Sequence, residues 1–247
     1  MAIAVPLVLL ALWEAASRLA LVSPRYFPPP TAIAASLAGG FAEGDLGGEM
    51  LTTLARLAVA FVVAAGVGVP LGLVMGLFRP VRDAVDPYVA LLFPVPKIAM
   101  LPFLMIVLGA GEPAFVLTGA ISAFFQIVIS TLGGVLTLDP RLLDVGENYG
   151  ARGVRLFRKV ILPATLPSIF TGLRLGLGLA LVTIVAVEFI TAKSGLGHLV
   201  YRHWQMLSTT EMYAAFALVG ALGLLLTRGL HALQRRALVW QEDRGAL

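Results

Sequence analysis

Side chains able to do chemistry are few in this sequence and poorly spaced for catalysis. Cysteine is absent, which removes disulfides, iron–sulfur ligation and thiol nucleophiles. Ser130, Ser194 and Ser208 have no His/Asp arrangement that periodicity would bring to them, so no nucleophile site is expected. His198 and His203 lie five apart with neither a Cys nor an H-E-x-x-H companion, and they read as surface residues without metal. No G-x4-G-K-[ST] run is present to cradle nucleotide phosphates. The chain is therefore read as no enzyme, with no cofactor. Gln126 and Glu188 stand inside apolar stretches, where polar and ionisable groups are costly and mark either function or pairing. For Glu188 the favoured reading is a helix-end carboxylate or a structural pair with Arg56 or Lys193; the other is a contact to a passing solute. Ser122, Gln126, Thr183 and Glu188, together with Thr191, are the candidates for lining a pathway.

The elements that hold these residues follow from composition. The 247 residues are 59% hydrophobic and 13% charged, against about 25% charged in a soluble domain. A water-facing core of this size could not hide so much apolar surface; a bilayer removes the need. The expected fold class is all-α, a polytopic membrane protein. Crossing hydrocarbon takes about 20 helical residues. Windows of that kind fall near 3–21, 54–78, 88–108, 115–138, 169–190 and 212–233. The first could be taken for a secretory signal, but it lacks a basic flank and a small-residue cleavage site, and Glu14 and Arg18 interrupt it. It is read as a retained span. The third holds Pro94, Pro96 and Pro102 with Lys97 among them, which argues against a straight helix. An interfacial helix near 81–92 and a short, broken crossing up to Leu108 are expected instead, with Lys97 snorkelling to the cytoplasmic surface.

Charge sets the count. Arg79 and Arg82 follow the second window, Arg141, Arg152, Arg155, Arg158 and Lys159 the fourth, and Arg235, Arg236 and Arg244 the sixth. The other side keeps Arg18, Arg25, Lys193 and Arg202, with Arg56 near the start of a span. The positive-inside rule then favours six spans with both termini in the cytoplasm. The net charge of +4 belongs to those loops; without basic runs interleaved with aromatics, no nucleic-acid partner is expected. Residues 23–50 read as an ordered turn and a short surface helix, 109–113 as a tight turn, and 192–211 as a longer loop. Gly66, Gly68, Gly72 and Gly76 give the second span a small-residue face, and Gly172, Gly176 and Gly178 do the same for the fifth. Packing within one subunit is the favoured use of both.

From Asp139 to Pro167 the chain changes character. Asp139-Pro140 is a helix start, an acid to cap free N–H groups followed by a proline at the first helical position. Gly150 is a stop. A second short helix is expected from Val154 to Ile161, ended by Pro163. Val154, Phe157 and Ile161 share one face, with Arg155, Arg158 and Lys159 largely off it. Taken alone, these properties fit either a loop lying on lipid or a partner-docking element.

The spacing resembles the signature loop of binding-protein-dependent ABC importer permeases, E-A-A-x3-G-x9-I-x-L-P. Asp144-Val145-Gly146 stands in the E-A-A place, Gly150 at the required spacing, Val160 in the Ile place, and Leu162-Pro163 at the end. Asp for Glu and Val-Gly for Ala-Ala are departures, and Gly146 should weaken the first helix. Leu166 through Arg174, Val187-Glu188 and the segment from Pro94 to Pro102 resemble the sulfonate, taurine and nitrate permease subfamily.

The resemblance implies a type I ABC importer transmembrane domain over 49–236. Residues 1–48 hold the first span and its external connection, and 237–247 form a cytoplasmic tail. It implies a homodimeric permease in a bacterial inner membrane, surrounded by lipid, fed by an extracytoplasmic substrate-binding protein and powered by cytoplasmic ATPase subunits. Loop 139–167 would supply the coupling helix. Asp144, Gly150, Val154, Leu156, Phe157, Val160, Leu162 and Pro163 are its candidate coupling residues, and Arg155, Arg158 and Lys159 form a polar rim. Leu156, Phe157, Val160 and Gly150 are the expected docking contacts. A small anionic solute is expected, of sulfonate, taurine or nitrate type. The competing class is an ion-coupled secondary transporter, which needs its own coupling-ion site at mid-membrane.

Overall fold

With no water in hydrocarbon, a spanning backbone must satisfy its own hydrogen bonds, and helices do so within one segment. The computed structural model describes residues 4–42 and 45–240, and every regular element among them is helical. Ile3 at the head of the first expected span, and 241–247 of the expected tail with Arg244, lie outside the described residues. The helices are α1 (Ala4–Arg18), α2 (Pro30–Ala42), α3 (Asp45–Leu77), α4 (Arg79–Leu92), α5 (Leu101–Leu108) and α6 (Glu112–Leu136). They continue with α7 (Pro140–Asn148), α8 (Val154–Leu156), α9 (Leu162–Ile190), α10 (Leu196–Gln205) and α11 (Thr209–Ala237). A 3₁₀ turn at Lys97–Met100 leads into α5, and a π-helical turn at Phe157–Ile161 joins α8 to α9.

Among the described residues, four helices are long and apolar enough to cross a membrane, and five if α4 and the Lys97–Leu108 segment count as one broken span. Those two arms meet at 93°, which is the break the prolines demanded. α1 has 15 described residues, short of the roughly 20 a crossing needs.

Three boundaries depart from the sequence expectation. α3 begins at Asp45, so 45–50 is helix rather than connection, and Leu46 in that extension is buried. The expected loop 192–211 contains α10, whose Leu196, Leu199 and Val200 are buried on one side; its short apolar stripe escapes a search for long spans. Pro163 does not stop the second loop helix, because 154–190 is helical throughout. The turn ahead of it is widened, with the Leu162 N–H donating to Phe157 O, five residues back. Such a turn gives a proline ring the room that a regular α-turn denies it.

The chain divides into two compact units. One holds the described residues of Met1–Arg56 and Ile184–Gly223, the other those of Leu57–Thr183 and Leu224–Leu247. In the second unit α6 is the central helix, buried over 61% of its most apolar stretch. Its approach to α3 and α9 depends on missing side chains. A methyl group added at Gly72 would lie 2.7 Å from Thr131 Cβ, and one at Gly172 2.7 Å from Ser130 Cβ. Gly68 and Gly176 both face Ile127, and Gly76 faces Val135. Small residues permit this close backbone contact between membrane helices. Gly66 and Gly178 have nothing adjacent within 4 Å.

Candidate functional site

Loop 139–167 belongs wholly to the second unit. The Asp139 carboxylate accepts from the Arg141 N–H at 2.9 Å, and Pro140 takes the first helical position of α7. At the other end Gly150 turns left-handed (φ 77°). Its N–H donates to Glu147 O, and the Ala151 N–H donates to Gly146 O, both at 2.9 Å. That 6→1 and 5→2 pair is the Schellman ending, and a glycine adopts it without the cost a Cβ brings.

Gly146 has a second consequence. It is buried, and a methyl group there would sit 2.9 Å from Leu156 Cδ1 and 3.0 Å from Val160 Cγ2. The residue that lowers α7 propensity is the one that lets α7 lie against the π-turn. Leu156 and Val160, expected to face a partner, therefore pack inward on α7. Phe157 also turns inward, joining Leu162 and Leu166 against buried Leu73, Val135 and Ile169. This contact fastens the loop to α3, α6 and α9. Pro163 is half-buried inside the helix.

The apolar side chains left outward are different ones. Tyr149 is 89% exposed, Val154 72%, Val145 52% and Leu142 48%. Leu142, Val145 and Tyr149 fall at i, i+3 and i+7, one stripe along α7. Only Val154 of this set is among the coupling residues that the resemblance implies. Arg155, Arg158 and Lys159 are exposed around it, as are Asp144 and Gly150. The arrangement is a two-helix platform that exposes apolar and basic side chains and packs against three long helices.

The candidate lining residues fall in both units, Ser122, Gln126 and Thr183 in the second and Glu188 and Thr191 in the first. In the second unit the Thr183 hydroxyl donates to Ser122 Oγ at 2.9 Å, and Ser122 donates in turn to Thr118 O. Both side chains are buried, and Gln126 is half-buried. Thr191 is exposed.

Glu188 lies in the first unit and is fully enclosed, 0% exposed, beside Arg56 at 3%. Arg56 Nη1 donates to Glu188 Oε1 at 2.8 Å and to Ser194 O at 2.7 Å, and Nη2 donates to Ser194 Oγ at 2.8 Å. Thr53 Oγ1 lies 2.9 Å from Glu188 Oε2 and accepts the Leu196 N–H at 2.8 Å. The Gly197 N–H donates to Glu188 Oε2 at 3.0 Å, and the Gly195 N–H donates to the Glu49 carboxylate. Three consecutive amides at the start of α10 are thus held by side chains of α3 and α9. Glu188 takes Arg56 rather than Lys193 as its partner, and with its carboxylate enclosed it presents no open surface to a solute. His198 and His203 are half-buried on α10; among the described residues no three His, Cys, Asp or Glu side chains gather as metal ligands.

The chain is similar to known proteins. Residues 68–239 match the family described as binding-protein-dependent transport system inner membrane component. The taurine transport system permease protein of Escherichia coli (strain K12) is 36% identical over 241 residues, 96% of this chain and 88% of that protein. The nitrate import permease protein of Synechocystis sp. is 34% identical over 190 residues, 77% of this chain and 69% of that protein. Among solved structures, a chain of the MetNI methionine ABC transporter in an inward-facing conformation superposes with a TM-score of 0.68. It shares 21% identity, over 78% of this chain and 96% of that one, which speaks for a common fold. Given its long apolar helices and this match over most of its length, the chain belongs to the family of inner membrane components of binding-protein-dependent transport systems.

Proposed function

We propose that this chain is the permease subunit of an ATP-driven importer and that the 139–167 platform is where a separate ATPase takes hold. The observation that carries the reading is the outward stripe of Leu142, Val145 and Tyr149 with Val154, on a loop whose remaining apolar side chains are used to root it. Exposed apolar residues on a firmly held, basic-edged platform suit a protein cleft, where aromatic and aliphatic anchors supply most binding energy. Arg155, Arg158 and Lys159 form the rim. Asp144 and Gly150 shape the loop, and Leu156, Phe157, Val160, Leu162 and Pro163 transmit its motion to the spans.

The importer contains two copies of this chain, two cytoplasmic ATPase subunits and an extracytoplasmic binding protein. Six spans place both termini in the cytoplasm, with α1 and the broken pair completing the count. When the ATPases close on ATP, the platform moves with them, α6 and α9 tilt, and the population shifts from inward- to outward-facing. The solute is a small anion of the sulfonate, taurine or nitrate class, supported by the relatives' names. Family membership favours this reading over an ion-coupled carrier.

The test replaces Val145 and Tyr149 together by Asp. Neither side chain roots the loop, so the variant should insert and fold as the wild type does. Loss of ATPase co-purification and of uptake is the expected result. Wild-type co-purification would show that the platform faces lipid instead.

A further inference from the structure

The Lys97 ammonium is held by the chain's own backbone. It folds back onto the break between α4 and the Lys97–Leu108 arm, where Pro94 and Pro96 provide no N–H of their own. Nζ lies 2.9 Å from Leu92 O, 2.6 Å from Phe93 O and 2.7 Å from Val95 O. An ammonium has three hydrogens, and here each has a carbonyl. Nζ also stands 4.8 Å from the centroid of the Phe125 ring and 5.8 Å from that of Phe93, within cation–π range. Phe125 is buried in the core around Met75, Val89, Val128 and Leu132, so the elbow is fastened to α6 as well as to itself.

Unwound carbonyls at a broken span are how ion-coupled carriers hold a mobile cation. We infer that Lys97 is a tethered cation that occupies such a site permanently, making it a positioning residue that fixes the α4–α5 elbow without an added ion. With all three hydrogens committed to backbone, it offers none to a transported solute. Its contribution to transport is the shape of the break. This role goes beyond the importer reading and does not depend on it, since the elbow belongs to the chain alone.

The experiment is chemical rescue in the full chain, reconstituted in nanodiscs. Spin labels replace Tyr88 on α4 and Val107 on α5, which are 66% and 62% exposed, and pulsed dipolar spectroscopy reads the distance across the elbow. The labelled parent should give one narrow distribution. Lys97→Ala should broaden it, and n-propylammonium, which replaces the atoms removed, should narrow it again; sodium and tetramethylammonium serve as controls for size and donor geometry. Lys97→Met, which keeps the length of the stem but not the charge, should match the unrescued Ala variant.

In the assembled importer, ATP-driven uptake should fall about tenfold or more in Lys97→Ala, equivalent to about 1.4 kcal/mol between elbow states, and recover with n-propylammonium. A narrow, parental distribution in either variant overturns the proposal. Broadening that n-propylammonium leaves unchanged overturns the assignment of a cation. Because the distance readout needs neither ATPase nor solute, failure there is separate from failure of the importer reading.

Discussion

Removing one partner of the Arg56–Glu188 pair should be among the most damaging single changes in the protein. In Glu188→Ala, Arg56, 3% exposed in the parent, loses the Glu188 carboxylate, and breaking a buried pair from one side costs about 3–5 kcal/mol. The Gly197 N–H loses its acceptor too, a loss of about 1–3 kcal/mol on its own. The two share a site and do not add, so about 3–5 kcal/mol is the expected total. Against a total stability of about 5–15 kcal/mol, that shifts the folded-to-unfolded ratio by roughly a hundredfold to a few thousandfold.

The double variant Arg56→Met, Glu188→Met removes both charges and should recover much of the loss, because apolar replacement of a buried pair is often neutral or better. It should not recover all of it, since Thr53 and Gly197 remain without the carboxylate. Unfolding of the purified chain in mixed micelles measures these differences. Hydrogen exchange at Gly195, Leu196 and Gly197 reports whether α10 has come loose. Single variants costing under about 1 kcal/mol, or a double variant costing the sum of the singles, would refute the reasoning.

Other changes test other contacts. Phe157→Asp buries a carboxylate against Leu73, Val135 and Ile169 and should release the loop from the spans; ATPase co-purification and uptake fall, while membrane insertion, measured by carbonate extraction, is kept. Gly150→Val forces a branched residue to φ 77° and should cost about 1–2 kcal/mol, whereas Gly150→Asn should lose distinctly less in the same unfolding assay. Gly72→Leu places side chain where Thr131 Cβ would be 2.7 Å from the first added carbon, and should cost about 1–3 kcal/mol by overpacking α3 against α6.

The long helices were legible because hydropathy needs no tertiary knowledge: α6 and the apolar body of α3, α9 and α11 follow from composition alone. Local chemistry read equally well at Asp139-Pro140 and at Gly150, where cap and stop depend on neighbours in sequence. Pro163 misled because a proline's effect depends on the turn before it, and a π-turn has no simple sequence signature. The facing of the loop misled for another reason. Apolar spacing locates a stripe but not the side that packs within the chain, so it does not reveal that Leu156, Phe157 and Val160 are half-buried while Leu142, Val145 and Tyr149 are exposed. Gly146 held the clue, since a glycine inside a short helix marks the side where another segment comes close. Lys97 was beyond sequence reasoning: its three acceptors are backbone carbonyls, which look alike at every position. For Glu188 the sequence offers a helix-end role or a pair with Arg56 or Lys193; the choice of Arg56, and the α10 amides that Glu49, Thr53 and Glu188 hold, are visible only in three dimensions.

Energy arriving through the loop from a separate ATPase is the central proposal. The decisive measurement is solute uptake into proteoliposomes holding the permease, its cognate ATPase and binding protein, with ATP inside and no ion gradient. It is compared with the same assembly carrying an ATPase that binds but does not hydrolyse ATP. Sustained uptake in the first and none beyond background in the second is the predicted result. Uptake by the chain alone, driven by an ion gradient and indifferent to ATP, would contradict it.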